Sequence, residues 1–114
     1  MNEQMNFDFT NYHFQPIGKA AELPSGERLL IEVNGLPVVV FNVGGRYFAI
    51  DDLCTHDDGT LSDGDLNGNV LTCPRHGAEF DIRTGKVLTL PAVFDVQAYP
   101  VQISGDVLEI GIPD

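Results

Sequence analysis

The chain has 114 residues, 43% of them apolar, which is enough for one domain with a hydrophobic core. Its 17 acidic and 6 basic residues give a net charge of −11 at pH 7, which argues against nucleic acids and anionic membranes as partners. The first twelve residues do not resemble a signal peptide, and the longest apolar run, LPVVVF, is too short to span a membrane. We therefore expect a cytoplasmic protein.

Short apolar runs bounded by Gly, Asn and Asp predict strands along most of the chain. Asn34-Gly35 and Gly44-Gly45 are typical of tight hairpin turns. Sustained helical periodicity is missing, although 18–28 has room for one helical turn before Pro24. The pattern predicts an all-β fold, an antiparallel sandwich or small barrel. The predicted strands are 28–33, 37–43, 46–51, 69–73, 78–82, 86–90, 96–103 and 107–112.

Two short clusters contain both cysteines and two of the three histidines. The first, Cys54-Thr55-His56, lies in 51–68, a segment rich in Gly and Asp that interrupts the strand pattern. The second, Cys73-Pro74-Arg75-His76, follows the strand predicted over 69–73. Both clusters thus lie at strand ends, where we expect their two loops to converge.

Three interpretations account for the four side chains Cys54, His56, Cys73 and His76. A Cys2His2 zinc site is chemically reasonable, but such sites usually take Cys with Cys and His with His from each segment. A disulfide is the weakest interpretation, because it leaves the histidines unexplained and the cytoplasm keeps thiols reduced. A [2Fe–2S] cluster with two Cys on one iron and two His on the other suits this chain, because each loop supplies one Cys and one His.

The spacing C-x-H, sixteen residues, then C-P-R-H-G resembles the Rieske signature. The likeness extends to VFNVGGRYFAIDDLCTH, to HGAEFDIRTGKVLTLPA and to YPVQISGDVLEI, so that it covers about 14–112. It implies a Rieske-like domain over 13–114 after an N-terminal tail over 1–12, with the cluster-binding part, built on two loops, over about 51–91.

The resemblance also implies the role of each ligand. Cys54 and Cys73 would bind the inner iron, and His56 and His76 the outer iron near the surface. Pro74 and Gly77 would shape the second loop. Pro91 would belong to a third loop that shields the cluster from water.

The implied function is that of a soluble ferredoxin of a ring-hydroxylating oxygenase system. Such a protein is a one-electron carrier rather than an enzyme. It takes electrons from a flavin-dependent NAD(P)H reductase and passes them to a terminal non-haem iron oxygenase. We expect a monomer, because a mobile carrier must expose its cluster to two partners in turn. His13, the remaining histidine, is expected at the surface or in packing, which leaves too few ligands for an oxygenase iron site.

Two alternatives remain open at this stage. The small subunit of an assimilatory nitrite reductase has a similar domain, although many such subunits lack the ligands. A zinc-stabilised binding module without a redox role would use the same four side chains. The acidic residues Asp51, Asp52, Asp57 and Asp58 form either a collar that docks on a basic partner or an ordinary solvated loop.

Four positions depart from the Rieske proteins of respiratory and photosynthetic complexes. Those proteins carry a disulfide where this chain has Gly59 and Arg75, and Ser and Tyr hydroxyls where it has Ala78 and Phe80. Hydrogen bonds to sulfur favour the reduced cluster, so their loss lowers the reduction potential.

We therefore predict a reduction potential near the low end of the range for such centres, which runs from roughly −150 to +300 mV. A potentiometric titration measures it. A midpoint above about +100 mV would contradict the prediction.

Overall fold

The computed structural model describes residues 11–55, 59–92 and 94–114. They form ten strands and one short 3-10 helix, Ala20–Glu22, within the segment expected to hold one helical turn. The strands, in chain order, are β1 Tyr12–Lys19, β2 Arg28–Val33, β3 Leu36–Val43, β4 Arg46–Asp51, β5 Asp65–Asn67, β6 Val70–Thr72, β7 Glu79–Asp81, β8 Ala98–Tyr99, β9 Val101–Ser104 and β10 Val107–Pro113.

Three antiparallel sheets organise these strands, which confirms the all-β prediction. The central sheet has the order β2-β3-β4-β8, and a second sheet has the order β1-β10-β9. A small third sheet, β5-β6-β7, carries the two predicted cluster loops. The hairpin predicted at Asn34-Gly35 is present: β2 pairs with β3 from Arg28↔Phe41 to Val33↔Leu36, and both turn residues have positive φ.

The central sheet is buried on both faces. Val39 and Phe41 on one face pack with the small sheet, whereas Val38 and Val40 on the other pack against the β1-β10-β9 sheet. Successive side chains of a strand point to opposite faces, so β3 needs apolar residues at consecutive positions. This explains the unbroken run VVVF at 38–41.

Two predicted strands are wrong in detail. The run 96–103 is split at Pro100, where β8 leaves the central sheet and β9 joins β10, because proline has no N–H for a ladder. The run 86–90 forms only a single bridge, between Val87 and Phe80. Two backbone hydrogen bonds join it to β7, and side chains add two more: the Asp95 carboxylate accepts from Val87 N–H, and Thr89 Oγ1 accepts from Glu79 N–H.

Strands β1 and β5 are not among those predicted from the sequence. Pro16 and Gly18 hide the strand pattern of β1, whose register with β10 shifts between these two residues. Tyr12 already belongs to β1, and residues 1–10 of the predicted tail lie outside the described residues, so the boundary after residue 12 stays a prediction. His13 is exposed as expected, and its Nδ1 lies 2.9 Å from Asp114 Oδ1.

Arg28 ties the first cluster loop to the central sheet. Its Nη1 donates to the carbonyls of Ser62, at 2.7 Å, and Gly64, at 2.9 Å. Its guanidinium lies 5.0 Å from the centre of the Phe41 ring, its cross-strand neighbour. One planar side chain thus fixes the end of the loop that leads into β5.

Arg28→Gln is expected to lower the thermal unfolding midpoint by about 5 °C, because two carbonyls lose a charged donor. Arg46→Gln, an exposed arginine at the start of β4, is the control and should change the midpoint much less. Equal shifts for both variants would contradict the role assigned to Arg28.

Candidate iron–sulfur site

The second cluster loop connects β6 to β7. Cys73 N–H donates to Ala78 O at 2.7 Å, and Gly77 N–H donates to Cys73 O at 3.1 Å, so that the loop closes on itself. The Cys73 side chain is buried, whereas His76 is exposed. Gly77 has φ +78°, a left-handed conformation that favours glycine.

The first cluster loop repeats this closure. Cys54 N–H donates to Gly59 O at 2.7 Å, so each cysteine amide binds the carbonyl five residues further along the chain. Cys54 is fully buried and belongs to the same packed apolar cluster as Cys73. The predicted convergence of the two loops is thereby confirmed. His56 lies outside the described residues, together with Asp57 and Asp58.

Asp52 fixes the second half of the first loop, at Leu61 and Ser62. It is only 5% exposed, and its Oδ1 accepts hydrogen bonds from the amides of Leu61 and Ser62, both at 2.7 Å. Its own N–H donates to Pro37 O in the central sheet at 2.9 Å. A buried carboxylate needs such donors, and here it fixes the loop backbone on both sides of the cysteine.

Asp51 is also engaged within the fold. Tyr99 donates its hydroxyl hydrogen to Asp51 Oδ1 at 2.6 Å. Burial raises the pKa of Asp51, although the hydrogen bonds from Tyr99 and Gln97 act in the opposite direction. Burial and the hydrogen bond to Asp51 raise the pKa of Tyr99. The acidic-collar interpretation is therefore wrong for Asp51 and Asp52, which bind the protein itself, and for Asp57 and Asp58 it stays a prediction.

A third segment, residues 86–92 and 94–96, lies against the first cluster loop and against β7, the strand that follows the second loop. Thr55 donates its hydroxyl hydrogen to Phe94 O at 2.6 Å, and Leu88 N–H donates to Glu79 O at 2.7 Å. The side chains of Leu90 and Phe94 are 75% and 68% exposed. Pro91, preceded by a cis peptide bond, lies in this segment, and its predicted shielding role stays a prediction.

Neither cysteine forms a disulfide, so the disulfide interpretation is wrong. Among the described residues, no three side chains of His, Cys, Asp or Glu form a set able to hold a metal ion, and the fourth predicted ligand, His56, is not among them. Two buried cysteines without a disulfide on converging loops, with an exposed imidazole three residues after one of them, nevertheless fit a cluster with unlike irons.

The sulfur environment differs from the sequence-based prediction. Ala78 and Phe80 are fully buried and, as predicted, have no side-chain donor. Cys73 Sγ nevertheless has a donor, because Arg75 Nη2 lies 3.4 Å from it. The sequence analysis treated Arg75 only as the residue that replaces a cysteine, and the arginine in C-P-R-H was the signal for this contact.

Comparison with known proteins identifies the family. Residues 13–100 match the Rieske [2Fe-2S] domain. The chain belongs to the Rieske [2Fe–2S] domain family. The 3-phenylpropionate/cinnamic acid dioxygenase ferredoxin subunit of Shigella flexneri serotype 5b (strain 8401) is 39% identical over 95 residues, which are 82% of this chain and 89% of that protein. The cofactor of this Rieske protein is accordingly a [2Fe–2S] cluster, and the zinc interpretation is wrong.

Solved structures agree with this assignment. The ferredoxin of carbazole 1,9a-dioxygenase from Nocardioides aromaticivorans IC177 superposes with a TM-score of 0.81 and 30% identity, over 89% of this chain and 98% of that one. A ferredoxin from a complex of reduced oxygenase and oxidized ferredoxin in carbazole 1,9a-dioxygenase matches with a TM-score of 0.78 and 28% identity, over 85% and 91% of the two chains. The predicted Rieske-like fold is confirmed.

Asp52→Ala is expected to speed hydrogen exchange at the amides of Leu61 and Ser62 at least tenfold, because both lose a buried charged acceptor. The iron content of the purified Asp52→Ala variant should also be lower than that of the unsubstituted Rieske protein. Asp63→Ala, which removes an exposed carboxylate from the same loop, is the matched control. Unchanged exchange in the Asp52 variant would show that this carboxylate does not fix the loop.

Proposed function

We propose that Cys54 and Cys73 hold one iron of the cluster and that His56 and His76 hold the other. Three observations support this assignment: both cysteines are buried in one apolar cluster, the two loops have matching closures, and His76 is exposed. Soft thiolates suit the buried side, whereas neutral imidazoles suit the side facing solvent.

The cluster, when bound, supplies a one-electron redox couple. The chain's contribution is positioning. Asp52 and Arg28 fix the first loop, and the β6–β7 hairpin fixes the second. The apolar cluster around the cysteines keeps water from the sulfur side, whereas exposure of His76 leaves a short path from the outer iron to a partner.

We further propose that the protein is the ferredoxin component of a ring-hydroxylating oxygenase system. It would accept an electron from a flavin-dependent NAD(P)H reductase and deliver it to a terminal non-haem iron oxygenase. The observation that carries this proposal is its similarity to dioxygenase ferredoxin subunits, together with the solved oxygenase–ferredoxin complex. These names favour an oxygenase circuit over the nitrite reductase alternative, and an electron-transfer component over an enzyme.

The surface near the cluster loops suits brief contacts with such partners. Phe94 is an exposed apolar residue beside the first loop, Leu90 of the same segment is exposed as well, and the net charge of −11 favours partners with basic docking faces. No helix in the described part of the chain is long and apolar enough to cross a membrane. We propose that the protein works as a monomer in the cytoplasm, where NAD(P)H feeds the reductase.

His76→Ala and His56→Ala are expected to abolish the cluster, whereas His13→Ala should keep it, because His13 is an exposed residue paired with Asp114. The measurements are iron and sulfide content of protein purified without oxygen, with two of each expected per chain. His76→Cys should move the paramagnetic resonance spectrum of the reduced protein toward that of an all-cysteine cluster.

Loss of the cluster in His13→Ala as well, or its retention in both other variants, would contradict the ligand assignment. The carrier role has a separate test: mixing of the reduced protein with the terminal oxygenase of its own organism, followed by stopped-flow absorbance. Rapid reoxidation is expected, and its absence would contradict the proposed circuit while leaving the ligands intact.

A further inference from the structure

Arg75 occupies the variable position of the C-P-x-H motif, and its side chain turns back onto the preceding cysteine. Nη2 donates toward Cys73 Sγ at a distance of 3.4 Å. The sulfur lies in a residue only 1% exposed, while the arginine itself reaches the surface. A guanidinium cannot lose its proton in the working pH range, so both the N–H and the positive charge are permanent.

Gly59 of the first loop makes room for this side chain. A Cβ at position 59 would overlap Cζ, Nε and Nη2 of Arg75. The guanidinium therefore lies where the two cluster loops meet, packed on the backbone of one and bonded to the sulfur of the other. Residues 59 and 75 are a matched pair, because any larger residue at 59 would displace the guanidinium.

We propose that Arg75 is a positioning residue that raises the reduction potential of the cluster. The inference rests on the proposed binding of iron by Cys73. Reduction adds one electron to the cluster and forms or breaks no bond to Arg75, which keeps its proton. Reduction would make the cluster and its ligands more negative by one charge, so a cationic donor on one cysteine sulfur would stabilise the reduced form more than the oxidised form.

The Arg75–Cys73 contact partly takes the place of the hydroxyl donors that other Rieske proteins have where this chain has Ala78 and Phe80. Both of those side chains are fully buried and apolar, whereas Arg75 reaches the sulfur from the solvent side. Solvent screens the charge of an exposed group, but a direct hydrogen bond persists at high ionic strength. The effect of Arg75 should therefore survive the addition of salt.

The test is potentiometry of the holoprotein and of four variants, three single and one double. Arg75→Gln is expected to make the cluster about tenfold harder to reduce at a fixed potential, which is a downward shift of about 59 mV for one electron. Arg46→Gln is the control for loss of one positive charge. It lies at the opposite end of β4 from the first loop, roughly 17 Å along the strand, and should shift the potential little.

Gly59→Ala tests the same contact with Arg75 unchanged. Gly59 does not have a positive φ, so alanine fits its backbone and the added methyl displaces the guanidinium. The potential should again fall, and Gly59→Ala combined with Arg75→Gln should fall no further than Arg75→Gln alone. The single variant Gly59→Ala tests the role of Arg75 even if Arg75→Gln does not assemble a cluster.

A potential for Arg75→Gln equal to that of Arg46→Gln would overturn the inference, as would an unchanged potential in Gly59→Ala. Failure of the proposed ligand set is distinguishable, because the His56→Ala and His76→Ala variants would then keep their two-iron cluster. If the cluster is present and its potential is the same in Arg75→Gln and Gly59→Ala as in the unsubstituted protein, the ligand assignment stands and only the role of Arg75 is contradicted.

Discussion

The two cysteine sulfurs are part of the hydrophobic core, and the remaining features of the site depend on this placement. Cys54 and Cys73 pack with Phe41, Phe48 and Phe80 between the central sheet and the small third sheet. If Cys54 and Cys73 bind iron as proposed, their thiolates would be buried among apolar side chains, where the positive charge of the metal offsets the cost of burying them. The histidine side of the site faces outward because the same packing places His76 at the surface.

The central sheet holds the first cluster loop in place. One of its faces belongs to the cluster side of the molecule and the other to the β1-β10-β9 sheet, so its strands cannot shift without disturbing two cores. Side chains at its edge and at its end then reach the first loop, through Arg28 and Asp52. Residues 61–64 of the first loop thereby have a fixed backbone.

Charge is used in two ways around the loops. Asp51 and Asp52 are consumed by internal hydrogen bonds, so the acidic character of the surface comes from other residues. Arg75 brings the opposite sign directly to a cysteine sulfur, and Gly59 provides its space. A Rieske protein without inter-loop disulfide thus still joins its two loops through side-chain contact, with a polar group in place of a covalent bond.

The sequence by itself determined the fold class, the positions of most strands and the four candidate ligands. Period-two patterns and Asn-Gly turns are local signals, and four ligand residues in two spaced motifs depend little on the remainder of the chain. It failed where local and tertiary preferences differ. Pro100 marks a change of sheet, the run 86–90 finds no partner strand, and β5 forms within a segment poor in apolar residues because β6 pairs with it. Only the tertiary structure decided that Asp52 turns inward and that Arg75 reaches a sulfur, because each contact joins groups whose proximity depends on how the loops fold back on the core.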